Sequence, residues 1–281
     1  MFPDTQSVSD PLPFHGYRTI VGATVSEEAP LVSTLDHFYQ AERFRGNSVV
    51  FRSTLDKITA KEARKFAAAN KALQRPDWID VFGRVMRAGL WMQLVEYPWL
   101  TEIIRAGRYN YPLKDREWNP KGKSSRFSKL LAFVHERLDR PTRVFIVGSG
   151  KLANPLLVEA FLTKAFRRQL PDEIVLRGRL AGCDPLAELW AIKNFVPVRR
   201  VTSQFSRMAH DVVLQQALSL ATHVVVFASP DEMRYLRVCQ QAETLGKAVR
   251  LCRIPPSARL DGPGKLLQGP GVHLSSISSP L

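Results

Sequence analysis

Four polar residues that could take part in chemistry fall within two turns of one short predicted helix. The stretch is STLDHFYQAERFRG, residues 33–46, and its polar members are Asp36, His37, Gln40 and Arg43. A carboxylate can activate water or stabilise a cationic centre, and an arginine can hold a phosphate. The leucine and aromatic residues between them have helical spacing. The stretch therefore predicts either a helix that carries a carboxylate into a pocket or the solvated face of an ordinary amphipathic helix.

Small and polar residues follow three apolar runs in the second half of the chain, in GSG (148–150), GRLAGCD (178–184) and ASPDE (228–232). Open parallel sheets bind ligands at the carboxyl ends of their strands, and glycine lets backbone N–H groups approach a phosphate. We therefore expect a nucleotide site there. The alternative is a set of tight turns, with the aspartate capping a helix that begins at Pro185. The candidate nucleotide-binding residues are Gly148, Ser149, Gly150, Gly178, Gly182, Asp184 and Ser229.

The elements that must position these residues change type near residue 140. Residues 1–30 are loop-rich with one predicted strand, and helical patterns then dominate to residue 138, including a capping box at Thr59 and Glu62. From residue 143 to residue 254, apolar strands alternate with helices, which predicts a parallel sheet covered on both faces. The sequence therefore predicts an α/β protein. It has a mainly helical α+β domain, then a parallel α/β domain, and a flexible tail over residues 255–281.

Composition narrows the classes of partner. The 281 residues carry a formal net charge of +14, which favours anionic ligands steered to the protein, or a nucleic acid. Three cysteines without CxxC spacing predict reduced thiols, and hence a cytoplasmic protein with no zinc site. No apolar run is long enough for a transmembrane helix, and the first residues lack the pattern of a secretory signal, so we expect no membrane partner.

The segment GRLAGCDPLAELWA, within residues 143–254, resembles a motif of the SLOG superfamily, G-x-A-x-G-x-D-x-x-A-x-x-W-A. The resemblance implies a Rossmann-like nucleotide-binding domain, and it leaves open a homo-oligomer formed through that domain. The nucleosidase branch of the superfamily has a GGxGT-type turn near the position where this chain has ASPDEMRYL. This departure implies ligand binding rather than hydrolysis in the second half.

The opening helix resembles the signature of the NADAR family, S-x-E-H-x-x-Q-A-x-K-F. The later segment DREWNPKGKSSRFSKLLAFVHERL is similar to the closing motif of that family, so the resemblance spans roughly residues 33–138. It implies hydrolysis of an N-glycosidic bond without a metal or other cofactor. Asp36 stands where the family has glutamate, and Arg43 where it has lysine. The implied catalytic residues are Asp36 and Asp115, and the implied substrate-binding residues are His37, Gln40, Arg43 and Trp118.

Three functions remain open at this point. The first is an N-glycosidase that acts on an ADP-ribose-linked base, or on a phosphorylated intermediate of riboflavin synthesis, fused to a nucleotide-binding domain. The second is a catalytically degenerate protein that senses or sequesters a ligand derived from NAD or ADP-ribose. The third is a basic nucleic-acid-binding protein, which the charge of +14 supports.

Overall fold

The computed structural model describes residues 35–96, 98–105, 126–201 and 209–255. The chain divides into two compact units, Met1–Arg140 and Pro141–Leu281. Several sequence predictions lie outside the described residues: the strand within residues 1–30, the loop with Asp115 and Trp118, and the C-terminal tail. Within the described part, none of the helices is long and apolar enough to cross a membrane.

The described residues of the first unit form helices. The predicted capping box is confirmed, because the Thr59 hydroxyl accepts a hydrogen bond from the Glu62 N–H while the Glu62 carboxylate accepts one from the Thr59 N–H. This reciprocal pair satisfies N–H groups that have no partner within the helix, and it fixes where the third helix begins. The helices are α1 (Leu35–Glu42), α2 (Ser48–Leu55), α3 (Ala60–Ala69), α4 (Trp78–Glu96), α5 (Pro98–Arg105) and α6 (Arg126–Asp139), with a 3-10 turn at Lys71–Leu73.

Helix α1 is buried along its whole length, from Leu35 to Glu42. It packs against α2, α3 and α4. The contact with α4 is close at Gly89, where an added Cβ would lie 2.4 Å from Leu35 Cδ1. The apolar residues of α1 were expected in a core. Its polar residues are buried as well, so the solvated face that an amphipathic helix would present is not observed.

The second unit contains five parallel strands in the order β3-β2-β1-β4-β5. The alternation predicted from the sequence is confirmed, and the fold is of the mixed α/β class. The strands are β1 (Arg143–Gly148), β2 (Glu173–Leu176), β3 (Val198–Arg200), β4 (His223–Ala228) and β5 (Ala248–Arg253). The helices are α7 (Pro155–Ala165), α8 (Cys183–Asn194), α9 (Ala209–Leu220) and α10 (Met233–Thr244).

Side chains of β1 alternate between two cores, as expected for a strand covered on both faces. Val144 and Ile146 pack with residues of α7 and α8, while Phe145 and Val147 pack with residues of α9 and α10. From β1 the strand order runs through β2 to β3 on one side and through β4 to β5 on the other. The order thus reverses between β1 and β4, and such a switch point leaves a crevice at the carboxyl ends of the two strands.

Candidate functional site

The carboxyl ends of β1 and β4 form the edge at which the sequence predicts a ligand. Gly148 lies opposite Phe227 in the sheet register, and the N–H of Ser149 donates to the Phe227 carbonyl at 2.9 Å. The loop after β1 is therefore tied to β4 immediately beyond the last strand pair. Ser149 and Ser229 are both buried next to this reversal of strand order, at 0% and 3% exposure.

The carboxylate of Glu232, which is in ASPDE but is not one of the candidate residues, joins the two strand ends. Ser149 Oγ donates to Glu232 Oε1 at 2.7 Å, and the N–H of Ser229 donates to Glu232 Oε2 at 3.1 Å. The signal that could have found it is the spacing S-x-x-E from Ser229 to Glu232, which is that of a capping box. No capping box forms, because the N-cap of α10 is Glu232 itself and its N–H donates to the Ser229 carbonyl in a turn before the helix.

The glycines of the predicted site have different structural roles. A Cβ at Gly148 would lie 2.5 Å from the Phe227 carbonyl oxygen, and one at Gly182 would lie 2.4 Å from the Ser149 carbonyl oxygen. Gly182 also has φ of +80°, and Gly178 has φ of +73°, values that non-glycine residues rarely adopt. Gly150 differs, because a Cβ there would have no neighbour within 4 Å. Gly148 therefore allows close packing of β1 against β4, Gly182 allows close packing against the loop after β1, and Gly150 has open space around it.

Asp184 is the most buried carboxylate of the predicted nucleotide site, at 2% exposure. Helix α8 begins at Cys183 with Gly182 as its N-cap, so Asp184 lies in the first turn and does not cap the helix. Its Oδ2 accepts a hydrogen bond from the Arg179 N–H at 3.1 Å, while Oδ1 is buried with no hydrogen-bond partner. Burial raises the pKa of Asp184, although backbone hydrogen bonds from Arg179 and Arg177 and the charges of both arginines act in the opposite direction.

Two more side chains at this edge are buried. Arg177, which follows β2, is 8% exposed and is hydrogen-bonded to the side chain of Tyr235 in α10. Burial lowers the pKa of Arg177, and the neighbouring charge of Arg179 adds to the effect. The hydroxyl of Ser229 is buried without a hydrogen-bond partner. Each buried polar atom without a partner costs about 1–3 kcal/mol, so such atoms in a folded protein call for an explanation.

In the first unit, Asp36 is 4% exposed and lies between a neutral and a charged partner. Arg64 Nε lies 2.8 Å from Asp36 Oδ2, and Gln40 Nε2 donates to Asp36 Oδ1 at 3.2 Å. The Arg64 contact is one of charge rather than an aligned hydrogen bond, because its N–H does not meet hydrogen-bond geometry. The structure thus brings together two of the predicted residues, Asp36 and Gln40, and adds Arg64, which no motif had indicated.

His37 is 1% exposed, and its Nε2 lies 2.9 Å from the Lys57 carbonyl oxygen. A carbonyl oxygen can only accept, so Nε2 carries the proton in this contact. Burial lowers the pKa of His37, while the Lys57 contact and the charge of Asp36 raise it less. The arrangement suits a neutral imidazole that holds the loop before α3 against α1.

Arg43, predicted to bind substrate, lies beside aromatic rings. Its guanidinium carbon is 5.2 Å from the Tyr39 ring centroid and 5.0 Å from that of Trp78. Cation–π contacts of this kind hold an arginine by its planar face and leave its edge for other interactions. Trp78 and Trp91 are buried, whereas Trp99 is 39% exposed.

The described residues include all three cysteines. Cys183, Cys239 and Cys252 are free and buried. Burial raises the pKa of Cys239 to about 11 and that of Cys252 to about 12, so both remain protonated thiols near neutral pH. Across the described ranges, no group of three or more His, Cys, Asp or Glu side chains is arranged to hold a metal ion.

Comparison with known proteins adds no relative. No protein-family model matches the chain, and neither curated proteins nor solved structures give a significant match. The NADAR-like and SLOG-like motifs therefore remain predictions from the sequence, while the α/β class of the fold is a structural observation.

Proposed function

We propose that the second unit binds a nucleotide-type ligand at the carboxyl ends of β1 and β4, in a Rossmann-like arrangement. The observation that carries the proposal is the pair of buried oxygens without a partner, Asp184 Oδ1 and Ser229 Oγ. Both residues follow strand ends of one parallel sheet, where open α/β proteins bind their ligands. Ligand hydroxyl or amine groups that donate to these oxygens would offset the cost of burying them unpaired.

Charge supports a ligand that also carries phosphate. The residues from 141 onward hold 18 lysines and arginines against 10 acidic residues, and Arg177 and Arg179 lie in the loop beside Asp184. A basic surface attracts an anionic ligand from solution before any specific contact forms. This agrees with the sequence prediction of a ligand derived from NAD or ADP-ribose.

The test is a thermal-shift and calorimetric screen with NAD, ADP-ribose, cyclic ADP-ribose and an ADP-ribosylated guanine nucleoside. We expect at least one of them to bind with a micromolar Kd, and Asp184→Asn to weaken that binding about tenfold, since the variant replaces an acceptor oxygen by a donor. Asp172→Asn is the matched control, because Asp172 is also buried but already accepts a hydrogen bond from the Thr142 N–H. If none of the four compounds binds, the proposal is wrong.

A second candidate function is N-glycosidic hydrolysis in the first unit, as the NADAR-like motif predicts. The observation that favours it is the buried carboxylate of Asp36 beside Arg64 and Gln40. A buried carboxylate can stabilise the oxocarbenium-like centre that forms when a glycosidic bond breaks. In this arrangement Asp36 would act through its charge, since a guanidinium partner does not give up its proton near neutral pH.

Mass spectrometry tests this second candidate. The protein is mixed with each of the same four compounds, and the release of ADP-ribose or a free base is followed. We expect release by the wild type and at least 100-fold slower release by Asp36→Asn. Asp77→Asn is the control. It weakens the ion pair between Asp77 and Arg75 in the same unit, and the Asp77 side chain is half-exposed. Equal rates for the wild type and Asp36→Asn would show that Asp36 does not contribute to the reaction.

A further inference from the structure

We propose that the first unit binds an uncharged planar heterocycle through the side-chain amide of Gln93 in α4. The heterocycle that fits has a hydrogen-bond donor next to an acceptor on one edge. The inference goes beyond the nucleotide site proposed for the second unit and does not depend on it. It also does not require that any bond in the ligand be broken.

Gln93 is a buried residue whose amide makes no hydrogen bond. It is 1% exposed, and within the part of the chain that the structure describes neither Nε2 nor Oε1 has a hydrogen-bond partner. Both atoms are hydrated in the unfolded chain, so burying them unpaired costs free energy. A methionine of similar length would fill the same space without that cost. The amide therefore calls for a partner that the protein itself does not supply.

Gln40 in α1 shows the contrast, because its amide has a structural role. It is 3% exposed, and its Nε2 donates to Asp36 Oδ1 at 3.2 Å. The Gln40 amide thereby helps to hold a buried carboxylate in place. Gln93 makes no such bond among the described residues, so the same explanation does not apply to it.

Helix geometry places the Gln93 side chain beside the first turn of α1. Gln93 follows Gly89 by four positions, so both lie on the same side of α4, and side chains of an α-helix lean towards its N-terminus. Gly89 lies against α1, because a Cβ there would be 2.4 Å from Leu35 Cδ1 and 3.0 Å from Phe38 Cδ1. The Gln93 side chain therefore lies next to the point where α1 crosses α4.

The surroundings of this amide suit a flat ring. Every residue from Ala88 to Leu94 is buried, and Leu90 and Met86 share the side of α4 on which Gln93 lies. Apolar side chains pack against the faces of a ring, while a few polar groups bind its edge. The acidic residues of α1 already have cationic partners, since Asp36 pairs with Arg64 and Glu42 with Arg45.

A primary amide can form two parallel hydrogen bonds with one partner. Its Oε1 accepts and its Nε2 donates, so the matching edge presents a donor and an acceptor side by side. Glutamine pairs with the edge of adenine in this way. Cytosine and the carboxamide of nicotinamide have the same arrangement. An ionised phosphate or carboxylate has acceptors only and would leave Oε1 unpaired.

The experiment is titration calorimetry of the full chain with nicotinamide, adenine and cytosine. We expect at least one of these compounds to bind. The analogue with a methyl group in place of the amine should bind at least tenfold more weakly, because it leaves Oε1 without a donor. These analogues are 3-acetylpyridine for nicotinamide, 6-methylpurine for adenine and 4-methylpyrimidin-2-one for cytosine.

Gln93→Met keeps an unbranched side chain of similar length and removes both polar atoms. It should weaken binding of the same compound at least tenfold and raise the midpoint of denaturant unfolding, because no polar atom is then buried unpaired. Gln93→Leu is the second variant should Gln93→Met fail to fold. Gln74→Leu is the matched control for binding, because the Gln74 amide in the same unit already donates to the Ala67 carbonyl. It should leave the affinity unchanged.

The outcomes separate this inference from the proposed function of the second unit. If none of the three compounds binds, the inference is overturned and the nucleotide site is unaffected. Binding that Gln93→Met leaves unchanged also overturns it, and if Asp184→Asn weakens that binding, the heterocycle occupies the second unit. A lower unfolding midpoint for both Gln93 variants would show that the amide has a partner within the protein, which overturns the inference as well.

Discussion

Two buried aspartates, one in each unit, have opposite surroundings. Asp36 is 4% exposed and both of its carboxylate oxygens have a partner, Arg64 for one and Gln40 for the other. Asp184 is 2% exposed, and one of its oxygens has no hydrogen-bond partner. The sequence predicts a functional role for both residues.

The difference shows that burial alone does not mark a binding residue. A buried carboxylate whose oxygens all have partners stabilises the surrounding structure, and removing it leaves its charged partner without a counterion. A buried carboxylate with an unengaged oxygen has capacity for a ligand group. On this criterion the second unit holds the stronger candidate for binding, and Asp36 contributes to stability whether or not it also contributes to chemistry.

The largest expected effect comes from disturbing the turn that positions Asp184. Gly182→Ala should destabilise the protein by at least about 3 kcal/mol, because it combines a positive φ with a backbone clash. Chemical denaturation followed by circular dichroism measures the loss. Gly150→Ala, in the adjoining loop with open space around it, should change stability by less than about 1 kcal/mol. Equal losses for the two variants would contradict the packing described for Gly182.

Asp36→Ala tests whether Asp36, whose carboxylate oxygens both have partners, stabilises the first unit. It should lower the free energy of unfolding by about 1–3 kcal/mol, a value below that of a fully buried ion pair because the Arg64 side chain is 36% exposed. Asp77→Ala removes the partner of Arg75 at a half-exposed site and should cost no more than about 1 kcal/mol. If the two variants lose the same stability in denaturation experiments, Asp36 is not the structural residue that its contacts indicate.

Asp184→Asn should raise the free energy of unfolding, whereas the preceding variants lower it. Because the folded pKa of Asp184 is raised by burial, the native state binds more protons than the unfolded state in the range above the ordinary pKa near 3.8. The contribution of Asp184 to stability therefore falls as pH rises through the folded pKa. The variant should be more stable than the wild type at pH 7, by on the order of 1 kcal/mol, and this gain should shrink towards pH 4.

Denaturant titrations of wild type and Asp184→Asn at several pH values measure this difference. A variant less stable than the wild type at pH 7 would show that the carboxylate has a stabilising partner. That result would remove the main reason for placing a ligand group beside Asp184.

The smallest expected effect is the loss of folding stability at acidic pH that the buried His37 causes. Burial lowers its folded pKa, so below the unfolded value near 6.5 the unfolded state binds more protons and stability falls as pH falls. His37→Gln keeps a side-chain N–H for the Lys57 carbonyl and should reduce the loss between pH 6.5 and pH 5 by up to about 1 kcal/mol. His223→Gln, at a partly exposed position, is the control. Identical pH profiles for wild type and His37→Gln would exclude the buried imidazole as the cause.

Local patterns in the sequence predicted local structure well. The alternation of strands and helices, the apolar run before Gly148 and the capping box at Thr59 depend on neighbouring residues, and all are observed. The strand ends also follow from these patterns, which is why Ser149, Asp184 and Ser229 were identified as candidates.

Pairings between distant residues could not be predicted in the same way. Arg64 meets Asp36 across 28 positions and Glu232 meets Ser149 across 83, and no periodicity encodes either contact. The same limit applies to two other features. Helix α1 is buried on all sides because three other helices cover it. A Cβ at Gly148 or Gly182 would collide with backbone that is distant in the sequence.

The most direct test of the central claim is a crystal structure of the protein soaked with the nucleoside or ADP-ribose compound that binds most tightly. We expect a ligand hydroxyl or amine about 3 Å from Asp184 Oδ1. A ligand bound elsewhere, with Asp184 Oδ1 still lacking a partner, would contradict the claim that this unengaged oxygen marks the binding site.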